Sequence, residues 1–177
     1  MIRRALLSVT IIVALIVQAS AQERVSVGTQ RLVTSGALFL ADARGYFKAE
    51  GLDVEMTAFA SPQPVVEALA AGETDFGLTG FTAVAFNLAG QGKIKAIAAQ
   101  VREKRNYEGN EIVASIGASD RGLRKLEHLA NKSVAVTQLG SAFHYQLGQI
   151  ARLKGFDLAG VTVKPLQSVE ARVRAVT

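Results

Sequence analysis

The stretch Ala43-Arg44-Gly45-Tyr46-Phe47-Lys48-Ala49-Glu50-Gly51-Leu52-Asp53-Val54 decides how this chain is read. Gly45 stops a helix, because glycine enters the left-handed conformation that ends helices at no steric cost. A short turn over 46–50 follows and closes at Gly51. Residues 53–59 then alternate apolar and polar, which predicts a strand. Upstream, 25–29 alternates in the same way and 30–35 is polar. Residues 36–44 carry Leu38, Phe39, Leu40 and Ala41 on a wide apolar helix face. The local order is strand, polar loop, helix, strand. That order implies parallel strands joined by right-handed helical crossovers.

Downstream the grammar repeats. Ser61-Pro62 is a helix start, with a hydroxyl at the N-cap and proline in the first turn. Val65, Val66 and Leu69 share a face of that helix, and Gly72 ends it. Residues 76–79 predict a short strand, 83–89 a helix stopped by Gly90, and 94–99 an apolar strand buried on both faces. The pattern breaks over 100–109, where Arg102, Glu103, Lys104, Arg105, Asn106 and Glu108 make a solvated connection. Beyond it, strands are expected at 111–116, 133–137 and 161–166, with a short helix or turns within 120–132. A helix over 142–154 carries Phe143, Leu147, Ile150 and Leu153 and ends at Gly155. Ser168 opens a last helix with Val169, Val173 and Val176 on one stripe, and Thr177 follows with no stop signal. The expected organisation is a first lobe over 22–100, a crossing over 101–111 and a partial second lobe over 112–177.

The first 21 residues read as a secretory signal peptide: Arg3 and Arg4, an uncharged apolar run over 5–17, and the small-x-small site Ala19-Ser20-Ala21. The run is shorter than the ~20 residues a membrane span needs. Cleavage after Ala21 removes Arg3 and Arg4 and lowers the formal charge from +5 to +3. The remaining Lys and Arg are interspersed with Asp and Glu, so no basic run remains to hold a nucleic-acid backbone. There is no cysteine, which excludes disulfides, thiolate metal sites, a cysteine nucleophile and a lipidated cysteine after the signal. The expected location is the periplasm, with no stable membrane insertion of the mature chain.

Three motifs then carry a resemblance. Residues 43–54 resemble the GYF-x-x-EGL-x-V signature of solute-binding proteins of ABC importers, of the nitrate/sulfonate/taurine type that includes binders of thiamine-pyrimidine precursors. Gly72-Glu73-Thr74-Asp75-Phe76-Gly77 is similar to the G-x-x-D-F-G that precedes the third strand of such proteins. Leu129-Ala130-Asn131-Lys132-Ser133-Val134-Ala135-Val136 resembles the DL-x-GK-x-V-x-V that opens their second lobe, with Asn131 where a glycine is usual. The resemblance implies an α/β fold of the periplasmic binding protein-like type II class, with two lobes of parallel-rich sheets flanked by helices. It also implies that the chain is C-terminally truncated, because such proteins run to roughly twice this mature length. A membrane permease is the implied partner.

Ligands of open α/β sheets bind beyond the carboxyl ends of the strands. Four loops qualify: 31–35, 60–63, 79–82 and 138–142. All lead into helix N-termini, whose unpaired amides hold anions without a charged side chain. The expected ligand-binding residues are Thr34, Ser35, Phe39, Ser61, Gln63, Thr79, Gly80, Phe81, Thr82, Gln138, Gly140, Ser141 and Ala142. The ligand is expected to be a small solute, anionic and sulfonate-, nitrate- or taurine-like. It would be captured by hinge closure and delivered to an inner-membrane permease. No catalytic residue, metal or cofactor is expected. The pyrimidine-synthesising branch of the same fold family relies on a metal-binding histidine and a cysteine-rich tract, and this sequence has no cysteine. Two other readings fit the same residues: a sensor that signals to a membrane receptor, and a non-functional remnant.

Overall fold

The computed structural model describes residues 22–102, 104–106 and 109–177; the expected signal at 1–21 lies outside the described residues, as do 103, 107 and 108 of the expected crossing. The first sheet is built from β1 (Glu23–Thr29), β2 (Leu52–Ala58) and β3 (Phe76–Gly77). Its order is β2-β1-β3, and both pairings are parallel. Between β1 and β2 the chain forms α1 (Gly36–Ala43) and the single turn α2 (Tyr46–Ala49). Gly45, at φ 71°, and Gly51, at φ 76°, make the two reversals that the opening stretch requires. Between β2 and β3 lies α3 (Pro62–Ala71), which ends on left-handed Gly72.

Helix α3 packs on the sheet through Val65, which is fully buried. Full burial of such a side chain contributes roughly 1.5–3 kcal/mol. The contact is close because Gly28 of β1 and Gly77 of β3, a cross-strand pair, face it without side chains. A Cβ at Gly77 would stand 3.2 Å from the Val65 Cγ1, and one at Gly28 only 3.1 Å from the Phe59 ring. The two glycines thus let helix and sheet approach, and this brings the amino end of α3 to the carboxyl edge of the sheet. After β3 comes α4 (Ala83–Gly90), whose N-cap Thr82 accepts a hydrogen bond from Ala85 N at 3.1 Å.

The second sheet pairs β4 (Ser133–Val136) with β5 (Thr162–Pro165), again in parallel. Preceding it is α5 (Ile116–Asp120), capped by Ser115; α6 (Ala142–Lys154) joins the two strands, and α7 (Val169–Arg174) follows β5. Leu129, Leu147 and Val161 form a buried core, flanked by Leu123, Val134, Ile150, Phe156, Leu158 and Val163. No helix among the described residues is long and apolar enough to cross a membrane.

Four expectations change. The run 94–99 belongs to no strand or ladder among the described residues, and Ile97 is 72% exposed. Apolarity prepares a segment for burial, but a strand also needs an edge to pair with. Residues 111–115 likewise pair with no strand, and Ser115 instead starts α5, accepting from Ala118 N at 3.1 Å. On α6 the buried face is Leu147, Ile150 and Ala151; Leu153 is 75% exposed, because six residues past Leu147 the helix has turned it away. The stripe of α7 is not buried either, with Val169 and Val173 both exposed.

Candidate functional site

Five loops leave the carboxyl ends of the parallel strands. Three of them meet across the two sheets. The amide of Ala83, at the start of α4, donates to the carbonyl of Gly140, between β4 and α6, at 2.9 Å. Gln138 Nε2 donates to Gln63 Oε1, so a side chain following β4 is tied to one in the first turn of α3. Gln63 Nε2 in turn donates to Glu67 Oε1 at 2.6 Å. Thr79 Oγ1 makes a long contact of 3.4 Å to the carbonyl of Pro62.

Around this junction lies a cavity of about 190 Å³ lined by Ser61, Gln63, Pro64, Glu67, Gln138 and Gln167. Ser61, Gln63 and Gln138 are the sequence-expected residues that it gathers. Ser61 is only 1% exposed, yet its hydroxyl makes no cap hydrogen bond to α3. The N-cap residues Ser115, Ser141 and Ser168 all use theirs. The Ser61 hydroxyl is therefore free of the helix and belongs to the cavity wall. Helix α3 brings few amides of its own. Of the four N–H groups that a helix start leaves unpaired, Pro62 and Pro64 have none to give.

The other expected residues stand elsewhere. Ser35 is buried and accepts from Thr29 Oγ1 at 3.4 Å. Thr34 is exposed and Phe39 half-buried, and neither lines the cavity. Phe81 stacks on Phe86 with ring centroids 5.2 Å apart, and both rings are exposed. Thr82 and Ser141 are buried caps, and Ala142 is the half-buried first residue of α6. Gly80 is exposed. Gly140 contributes a left-handed backbone, φ 77°, and its N–H donates to His144 Nδ1 at 3.1 Å.

Sequence reasoning missed Pro64, Glu67 and Gln167. Glu67 sits one turn beyond Gln63 on the same helix face, a spacing that predicts contact. Gln167 lies in the loop after β5, which obeys the same strand-end rule as the other four. That loop is held by Arg172, whose Nη1 donates to the carbonyls of Leu166 at 2.8 Å and Gln167 at 3.1 Å. Burial pushes the Arg172 guanidinium below its ordinary value, and nearby Glu170 partly offsets this.

A wider hollow of about 370 Å³ lies beside α5, lined by Ala118, Arg121, Gly122, Leu123, His128 and Lys132. It draws on one stretch of chain and on no strand end. No group of three or more metal-ligating side chains occurs among the described residues.

A family model described as NMT1/THI5 like matches residues 34–174. No curated protein sequence matches the chain. Among solved structures, a protein of Bordetella bronchiseptica RB50 aligns with a TM-score of 0.63 at 21% identity, over 88% of this chain and 48% of that one. The alkanesulfonate-binding protein SsuA from Xanthomonas axonopodis pv. citri, bound to MOPS, aligns at 0.56 and 20% identity, over 85% of this chain and 50% of that one. The periplasmic aliphatic sulphonate binding protein SsuA from Escherichia coli aligns at 0.56 and 18% identity, over 86% and 50%. The fold is thus the α/β fold of the periplasmic binding proteins, and the chain spans about half the length of each of these neighbours.

Proposed function

The chain belongs to the NMT1/THI5-like family, and on that premise we propose that it is the exported solute-binding component of an ABC importer. It captures a small sulfonate-, nitrate- or taurine-like solute between two lobes in the periplasm and hands it to an inner-membrane permease. The signal over 1–21 directs export, and a chain without cysteine carries no lipid anchor there. The observation that carries this reading is the joint lining of one cavity by Ser61 and Gln63 from the first sheet's loops and Gln138 and Gln167 from the second's.

The donor set suits a polar head group. The carboxamides of Gln138 and Gln167 and the Ser61 hydroxyl can all donate hydrogen bonds, and those of the buried Ser61 and Gln138 gain strength from the low local dielectric. The Gln63–Gln138 bond holds the halves together. A solute that touches both halves favours the closed arrangement by its higher affinity for it. Two of the solved neighbours carry sulfonate-binding names, and one is bound to MOPS, which supports a sulfonate as the first solute class to test.

The test is thermal unfolding of the chain with alkanesulfonates, taurine, nitrate and pyrimidine precursors. A true ligand at about 100 times its Kd adds about 2.7 kcal/mol of stability. Stabilisation by at least one of these solutes, lost in Gln138→Ala, supports the reading. No response across the whole set contradicts it.

A further inference from the structure

We infer that His144 is the positioning residue of the bridge between the two sheets' loops, and that it holds the bridge only while its imidazole is neutral, so that acidification loosens the junction. The effect on binding rests on the solute-binding reading above; the bridge itself is followed without a solute.

His144 stands half-buried in the first turn of α6, three residues after the N-cap Ser141. The two ends of this turn interlock. The His144 amide donates to Ser141 Oγ at 3.2 Å, and the Gly140 amide donates to His144 Nδ1 at 3.1 Å. This is the reciprocal pattern of a capping box, moved back by one residue and with an imidazole where Glu or Gln is usual. The same Gly140 accepts from the Ala83 amide through its carbonyl at 2.9 Å, and Gln138 of the same loop reaches Gln63. One side chain of α6 thus fixes the residue through which the loop after β4 meets the start of α4.

An imidazole nitrogen accepts only through its lone pair. With Nδ1 accepting, the neutral ring carries its proton on Nε2. Protonation places a second proton on Nδ1, which then meets the Gly140 N–H donor to donor. The Gly140 amide loses its acceptor. Its backbone, at φ 77°, is then free to turn the carbonyl away from Ala83. Residues 79–90 and 138–141 carry no ionisable side chain, and Tyr145 is the one other such residue within 142–151. The turns packed on α6, 126–129 and 158–160, bring Glu127, His128 and the adjoining Asp157. Each has a partner away from His144. Glu127 pairs with Lys154 at the far end of α6 at 2.8 Å, His128 Nδ1 lies 2.6 Å from the Gly122 carbonyl, and Asp157 Oδ1 accepts from the Ala159 amide at 2.9 Å.

The experiment is amide hydrogen exchange by NMR on the whole chain without solute, from pH 8 down to pH 5, the range in which imidazoles change charge. Each rate is taken relative to that of an unfolded chain. As the His144 ring protonates, followed by its own ring signals, protection at Gly140 and Ala83 is expected to fall together by about fivefold, the scale of one net hydrogen bond. His144→Gln keeps an acceptor that does not titrate and should leave both amides protected throughout. His144→Ala should leave both weakly protected at every pH. A ring that stays neutral to pH 5, protection that persists after it protonates, a fall at Gly140 without one at Ala83, or the same fall in His144→Gln overturns the inference. Calorimetric titration with ethanesulfonate, whose charge is constant over this range, reads the consequence for binding. Its affinity should drop about fivefold from pH 8 to pH 5 in wild type and stay level in His144→Gln. An affinity that ignores pH while the amides respond overturns the link to the solute. Failure to bind ethanesulfonate at any pH counts against the sulfonate reading, and the exchange result still decides the role of His144.

Discussion

Ala83 donates its backbone N–H to the carbonyl oxygen of Gly140 at 2.9 Å, a hydrogen bond between residues 57 positions apart in sequence that belong to loops of different sheets. Gly140 makes the bond from a left-handed backbone, φ 77°, with the Ala83 Cβ only 3.4 Å from where its own Cβ would stand. Gly140→Ala therefore meets both backbone strain and a tight contact. The expected cost is about 1–2 kcal/mol, read as a lower midpoint in urea, with weaker solute binding.

Asn131 and Gly160 make a second test. Asn131 holds φ 59°, where the related motif has a glycine, and asparagine is among the few other residues that tolerate this conformation. Its Oδ1 lies 2.8 Å from the position a Cβ on Gly160 would take. Because that oxygen is the tip of an exposed side chain that can turn aside, Gly160→Ala should cost no more than about 0.5 kcal/mol, measured by chemical denaturation; a loss several times larger would mean that the Asn131 carboxamide is held in place.

Acid sensitivity should report on Asp75 and Ser26. Asp75 Oδ2 accepts from the Ser26 hydroxyl at 2.6 Å and from its amide at 2.8 Å. The Ser26 hydroxyl, then its amide, hold the Asp75 carboxyl below the ordinary carboxylate value. A depressed folded-state pKa gives stability that is present at neutral pH and lost as pH falls below about 4. Ser26→Ala is expected to return the Asp75 pKa toward the ordinary range by carboxyl NMR titration. The acid-unfolding curve should then flatten over that window.

Thr137 Oγ1 is buried beside Gln138 with no hydrogen-bond partner among the described residues. Thr137→Val replaces the unsatisfied hydroxyl by a methyl of the same shape. Stability is expected to rise by about 1 kcal/mol, measured by thermal unfolding without ligand.

Much of the fold is legible in the sequence because its punctuation is local. Gly45, Gly72 and Gly155 end helices in left-handed conformations, and α6 begins and ends where its pattern predicts. Segments 94–99 and 111–116 are misread because alternation and apolarity describe a face, whereas a strand needs a partner supplied by distant chain. The strand-end rule leads to Ser61, Gln63 and Gln138 of the cavity and, extended to β5, to Gln167. Glu67 escapes it because its place in the wall comes from helix pitch. Thr82 and Ser141 illustrate the opposite limit: loop hydroxyls at helix starts serve as caps, and only the structure separates these from Ser61.

The central claim is that loops from both sheets enclose one solute. Its most direct test is an amide and side-chain NMR titration of the chain with taurine, following Ser61, Gln63, Gln138 and Gln167 together. The account predicts saturable shifts at all four with a single Kd. Shifts confined to one sheet's loops, or to the hollow at Arg121 and Lys132, would contradict it.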